Sequence, residues 1–117
     1  MRLNEVVYTD AKPVDGYGPG FFRVGGAVIE GGMLTGPEGT RPWAGFQDSA
    51  ALGALAGKVD VLFIGTGAEV AHLDEAFLEA MAAAELAVEA MSSPAACRTY
   101  NVLLSEGRRI ALAALPV

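Results

Sequence analysis

Cysteine is almost missing: Cys97 is the single one in 117 residues, so the chain cannot close a disulfide on itself. A fold that holds without such a staple suits a reducing compartment, and the expected location is cytoplasmic. Positive charge is also short, with eight Lys and Arg against fourteen Asp and Glu and a net charge of −6. An acidic surface repels phosphate backbones and anionic headgroups, which argues against nucleic acid and against docking on anionic lipid. Arg108 and Arg109 are adjacent cations, but two charges make no nucleic-acid footprint. No apolar run approaches the roughly 20 residues that a membrane-spanning helix needs, so no direct membrane insertion is expected. The opening Met1-Arg2-Leu3-Asn4-Glu5 has neither the apolar stretch of a secretory signal nor the arginines of a transit peptide. The carboxylates Asp10, Asp15, Glu69, Asp74 and Glu75 show no paired metal-ligand spacing. They are read as solvated charges or caps, and neither a metal nor a cofactor is expected.

What is present is apolar: 52% hydrophobic residues against 19% charged, the balance of a globular chain with a core. The length suits one domain spanning residues 1–117. Fifteen glycines and six prolines imply many turns. Residues 1–45 are rich in Gly, Pro, aromatic and β-branched residues, and residues 46–117 in Ala and Leu. Short strands are expected at residues 21–24, 27–30 and 33–35, punctuated by Gly25-Gly26, Gly31-Gly32 and Gly36-Pro37. They need a covering layer, because a lone hairpin is marginal in water.

The second half alternates strand and helix. Residues 59–64 form a nearly continuous apolar strand, as a strand buried on both faces would, and Gly65-Thr66-Gly67 ends it. A helix is expected from Asp74, as its N-cap, to Ala84, with Phe77, Ala80, Met81 and Ala84 at helical spacing. Residues 87–91 form the next strand. The last helix starts with Ser93 as cap and Pro94 at the first helical position, where a missing N–H does no harm. Cys97, Tyr100, Asn101 and Leu104 share one face of it, and Gly107 stands where a terminating glycine belongs. Residues 110–115 close the chain as a strand. Right-handed crossovers place strands 59–64 and 87–91 parallel in one sheet, with the glycine-rich strands as an appended β layer. A shorter helix at residues 48–55 is expected to cover one side.

The run Ala96-Cys97-Arg98-Thr99-Tyr100-Asn101, followed by Glu106-Gly107-Arg108 and an apolar strand, resembles the motif of the family that includes mitochondrial complex I assembly factor 3. Val61-Leu62-Phe63-Ile64-Gly65-Thr66-Gly67, the run Tyr17 to Gly26, Pro37 and Trp43 are similar to other parts of that family. The resemblance runs from about residue 13 onward. Two departures stand out: Ser92-Ser93, where members often carry Asp or Ser followed by Thr, and Ala71-His72, in a loop where proline is common. The resemblance implies an α/β fold of three-layer α/β/α type, with a mixed central sheet and an added N-terminal antiparallel β layer. It implies a protein partner and no cofactor, metal or catalytic residue. The mitochondrial relative works with another assembly factor on the membrane-arm junction of complex I.

Several residues carry two readings each. Gly65-Thr66-Gly67 follows a buried strand and precedes a helix, where backbone N–H groups can hold an anion. Val70, however, stands where a dinucleotide fingerprint has its third glycine, and a structural turn is preferred. Cys97, early in a helix, is a candidate nucleophile with His72 as a candidate base; a buried packing role is preferred. Thr99, Tyr100, Asn101 and Arg108 complete the candidate ligand or partner site. Asn101 is a poor helix former, which points to a hydrogen bond with a neighbouring loop, the Gly65–Gly67 turn among them, or to a ligand in a cleft. Trp43, Phe46, Phe21 and Phe22 are read as core, with a partner surface as the alternative. The leading function is a non-catalytic binding or assembly protein. The rival is a small enzyme or a metabolite or anion binder that uses the 65–67 loop and the Cys97–Asn101 helix. A homo-oligomer is left open.

Overall fold

The computed structural model describes residues 11–117. The chain opens with three short strands, β1 (Val14–Gly18), β2 (Phe21–Val24) and β3 (Ala27–Glu30), which form an antiparallel sheet in that order. Gly25 and Gly26 join β2 to β3 with φ of 58° and 85°, the two positive values that a tight two-residue hairpin of this hand demands. β4 (Met33–Gly36) and β5 (Gly39–Pro42) follow as a second hairpin. A short 3-10 turn, Phe46–Asp48, leads into α1 (Ser49–Gly53), and then come β6 (Val61–Gly65), α2 (Glu75–Ala83), β7 (Val88–Met91), α3 (Ser93–Ser105) and β8 (Ile110–Ala114).

The central sheet has five strands in the order β5-β4-β8-β6-β7. β6 is parallel to both β7 and β8, and β4 is antiparallel to β8 and β5, so the sheet is mixed. Side chains alternate across it with the period of two that pleating imposes. Leu62, Ile64, Ala111, Ala113 and Leu34 face one side, where Leu52 of α1 and Phe77 and Met81 of α2 cover them. Phe63, Ile110, Leu112, Ala114 and Met33 face the other, where Ala96, Cys97 and Tyr100 of α3 and Val14, Phe22 and Val24 of the small sheet close over them. The expected three layers with an added N-terminal β layer are therefore present.

Several details differ from what the sequence pattern predicts. The 33–36 strand does not belong to the appended layer: Gly31-Gly32 carry the chain out of the small sheet, and Met33–Gly36 lies between β5 and β8 in the central one. The glycine pair looks like a hairpin turn but makes a crossing, because β3 and β4 find different partners. β1 and β5 were not foreseen, since Gly16, Gly18, Gly39 and Pro42 give them little strand propensity. Pairing with β2 and β4 supplies what propensity lacks.

α2 starts as expected, with Asp74 Oδ2 accepting from Ala76 N at 3.1 Å. Phe77 and Met81 face the core; Ala80, expected beside them, is exposed. The cap of α3 is one residue earlier than expected. Ser92 is the N-cap, its Oγ accepting from Ala95 N at 3.3 Å, and Ser93 is already helical. Either serine precedes the proline closely enough to cap; the backbone bends at Ser92, with ψ of 154°. At the far end Gly107 has φ of 80°, Gly107 N donates to Leu104 O at 3.0 Å, and Arg108 N donates to Leu103 O at 3.1 Å. This paired closure ends the helix as its glycine predicts.

Candidate functional site

In open α/β sheets, ligands favour the crevice beyond the carboxyl ends of parallel strands. Here that place is where β6, β7 and β8 end at Gly65, Met91 and Ala114. Gly65-Thr66-Gly67 lies there with the start of α3 pressed against it. A Cβ on Gly65 would sit 2.7 Å from Ser93 Oγ and 2.9 Å from Ser93 Cα, so only glycine allows the approach.

The polar groups of this junction satisfy one another. Thr66 N donates to Met91 O at 2.9 Å, and Ser93 N donates to Gly67 O at 2.7 Å. Gly67 N donates to Ser93 Oγ at 2.9 Å, and that hydroxyl donates to Leu115 O at 2.6 Å. Leu115 N donates back to Gly65 O at 2.9 Å. The Thr66 hydroxyl accepts from Ala71 N at 3.0 Å and donates to Glu69 O at 2.7 Å, with Met91 O at 3.2 Å as a longer alternative. An anion cradle needs free N–H groups, and those of Thr66 and Gly67 are already bonded. The loop therefore acts as a knot that ties the ends of β6, β7 and β8 to α3, and those two N–H groups are not free to hold an anion.

Cys97 is buried beneath α3, and desolvation pushes its thiol up to about 11, against a small opposing pull from Arg98. A protonated, inaccessible thiol is a poor nucleophile. His72 lies on the opposite side of the central sheet, beside Leu73, Leu78 and Val88, so the two never meet. Tyr100 is fully buried, its hydroxyl donating to Lys12 O at 3.3 Å. Asn101 makes a two-point clip: Oδ1 accepts from Val14 N at 2.8 Å and Nδ2 donates to Val14 O at 2.9 Å. Its partner is β1, not the 65–67 turn, and the side-chain amide fastens the small sheet to α3 much as another strand would. Thr99 is half-buried, and Arg108 is exposed beyond the C-terminal end of a helix about 20 Å long. The eight candidate residues thus spread over a junction, a buried seam and a helix end, and do not converge on one cleft.

The carboxylates behave as caps and surface charges. Asp74 caps α2, and Asp15 Oδ2 accepts from Gly26 N at 2.9 Å. Asp10 lies outside the described residues. Asp60 pairs with Arg109 at 2.8 Å on the surface; the hydrogen bond from the guanidinium holds the carboxyl below its ordinary range. Among the described residues no group of His, Cys, Asp and Glu could hold a metal ion. Trp43 and Phe22 are core residues. Trp43 meets Phe46 edge to face at 5.5 Å, and Phe46 meets Phe77 at 5.0 Å.

One feature escaped the sequence reading. A groove of about 410 Å³ opens beside β7, lined by Val70, His72, Leu73, Leu78, Val88 and Ala90. Val70 and Leu78 keep 67% and 42% of their surface exposed. The signal that could have found it is Leu78, a large apolar residue that sits off the Phe77–Met81 stripe of α2.

Known proteins of the same architecture bear out the fold. A Mth938-like domain from Bordetella pertussis superposes with a TM-score of 0.75 at 28% identity, covering 99% of this chain and 92% of that one. A Bartonella henselae protein described as an outer membrane protein reaches 0.84 at 30% identity, covering 95% and 99%. The profile of the family described as "protein of unknown function (DUF498/DUF598)" matches residues 14–115, and the chain belongs to that family. A Rhodobacter capsulatus relative, described as uncharacterized, is 51% identical over all of this chain and 94% of its own length. The NADH dehydrogenase (ubiquinone) 1 alpha subcomplex assembly factor 3 of Danio rerio is 31% identical over 86% of this chain and 62% of its own length. The chain spans about three fifths of that longer relative. The resemblance read from the sequence is thereby established at the level of family. Among the described residues no helix is long and apolar enough to cross a membrane.

Proposed function

We propose that this protein is a non-catalytic binding or assembly protein of the complex I assembly factor 3 type, acting as one domain on a protein partner in a reducing, cytoplasmic setting. The observation that carries the reading is the similarity to the vertebrate assembly factor across 86% of this chain. The local chemistry supports it. The only thiol is buried with its pKa raised, and His72 is on the other side of the sheet. In the Gly65-Thr66-Gly67 loop the N–H groups of Thr66 and Gly67 are already bonded within the fold.

The test is genetic. In a host that carries complex I, deleting the gene should lower assembled NADH:quinone oxidoreductase on native gels while leaving subunit transcripts unchanged. Complementation with Cys97→Ser should restore the complex, because the thiol only packs. Normal complex I in the deletion strain would sink the assembly role. Failure of a folded Cys97→Ser protein would revive a catalytic one.

A further inference from the structure

We infer that the free edge of β7, with the groove beside it, is the docking surface for a basic, apolar, extended segment of a protein partner, which adds to the central sheet as a sixth strand. This rests on the binding role proposed above and gives it a place.

The geometry starts from the backbone. β7 is the last strand of the central sheet and pairs only with β6. The carbonyls of Ala87 and Met91 accept from Leu62 N and Thr66 N, so every second residue from 87 to 91 points its backbone at β6. Val88 and Ala90 therefore point their N–H and C=O outward, and neither makes a hydrogen bond in that direction among the described residues. Such a row is a template for a further strand. The same two residues line the groove with their side chains, next to the exposed Val70 and Leu78. Backbone pairing and apolar side-chain contact are thus offered side by side, as strand addition requires.

Charge selects the occupant. From residue 61 to residue 97 there is no Lys or Arg. The same stretch carries Glu69, Asp74, Glu75, Glu79, Glu85 and Glu89, all exposed. A second copy docking edge to edge would bring two such acidic segments together, which like-charge repulsion opposes. Anionic lipid and nucleic acid are repelled for the same reason. A strand that alternates apolar residues with Lys or Arg puts the former in the groove with Val88 and Ala90 and the latter on the opposite face with Glu89, along a segment that carries no cation of its own.

The experiment is an unbiased selection on the full chain from a phage-displayed library of random peptides about ten residues long. Enriched peptides should be net positive, with apolar residues at alternate positions. They should bind more weakly as salt rises and slow amide exchange at Val88 and Ala90. Ala90→Pro removes an outward N–H without touching the β6 ladder and should weaken binding at least about tenfold. Val70→Lys, at an exposed position, places a repelling charge in the groove and should do the same, whether or not Ala90→Pro folds. Absence of enrichment, acidic or uncharged winners, or binding indifferent to Val70→Lys would overturn the proposal. So would Val88 and Ala90 amides already protected in a concentration-dependent dimer, which would make a second copy the occupant. A deletion strain with normal complex I beside a successful selection would remove the assembly role and keep the surface; the opposite pair of results would do the reverse.

Discussion

Ser92 and Ser93 are neighbours with identical side chains and different partners. Ser92 accepts one bond from Ala95 N as the helix cap, and its loss to alanine should cost about 1 kcal/mol. Ser93 is fully buried and bridges Gly67 N and Leu115 O, so alanine there leaves a buried N–H and a partly buried carbonyl without this partner. Ser93→Ala should cost roughly 2 kcal/mol, about twice the cost of Ser92→Ala, in urea denaturation. Equal costs would contradict the bridging role. Cys97 gives a second prediction at this scale. Burial raises its folded-state pKa from 9.0 to about 11, so the thiol is protonated in both states below pH 9 and its contribution is complete. As pH rises from 9 through 11 the unfolded chain ionises first, and stability falls. Cys97→Ala should remove that part of the alkaline decline while the other titrating groups keep theirs. Parallel curves for the two proteins between pH 8 and 11 would refute the raised pKa.

The two longer helices end in the same way with different residues. At α3, Gly107 takes the left-handed position; at α2, Glu85 takes it with φ of 57°. In α2, Glu85 N donates to Ala82 O and Leu86 N to Met81 O, both at 2.9 Å, while the side chains of Met81 and Leu86 join the same core. The hydrogen bonds and that apolar contact hold a residue with a Cβ in a conformation costing on the order of 1 kcal/mol. Glu85→Gly should therefore keep stability or raise it by up to about 1 kcal/mol, because relief of strain outweighs the added freedom of the unfolded chain. Gly107→Ala should lower it by about 1 kcal/mol. Thermal melts of the two variants should move apart; a shared direction would show that the caps are not equivalent. The glycine end was legible from sequence. The glutamate end was not, since nothing local marks Glu85 as left-handed before Leu86 is seen to pack on Met81.

At the scale of the whole molecule, the last strand to be made sits in the middle of the sheet. β8 pairs with β4 from the first half of the chain and with β6 from the second. The small sheet is fixed to the same body by Val14, Phe22 and Val24 in the seam under α3 and by the Asn101 clip on Val14. Unfolding should then be one event: Trp43 fluorescence, which reports the α1 and α2 side, and amide exchange in β1 to β3 should share a midpoint in denaturant. Asn101→Ala should separate them by loosening the small sheet first. Two midpoints in the unaltered protein would show a second cooperative unit.

Local pattern was enough to find β2, β3, β4, β6, α2, β7, α3 and β8 within a residue or two, because each is punctuated by glycine, proline or a capping residue and carries its own period. It was also enough to mark Cys97 as packing and Asn101 as a structural amide. The partner of Asn101, the bridge made by Ser93 and the sheet to which Met33–Gly36 belongs needed the tertiary structure. Their reason is common: backbone N–H and C=O groups are alike at every residue, so a bond between positions far apart in the chain, from 22 residues for Ser93 and Leu115 to 87 for Asn101 and Val14, leaves no mark in either stretch of sequence. The β7 groove was hidden for the same cause. Val88 and Ala90 spell a strand, but only the strand order places them at an edge, and only folding brings Val70 and Leu78 beside them.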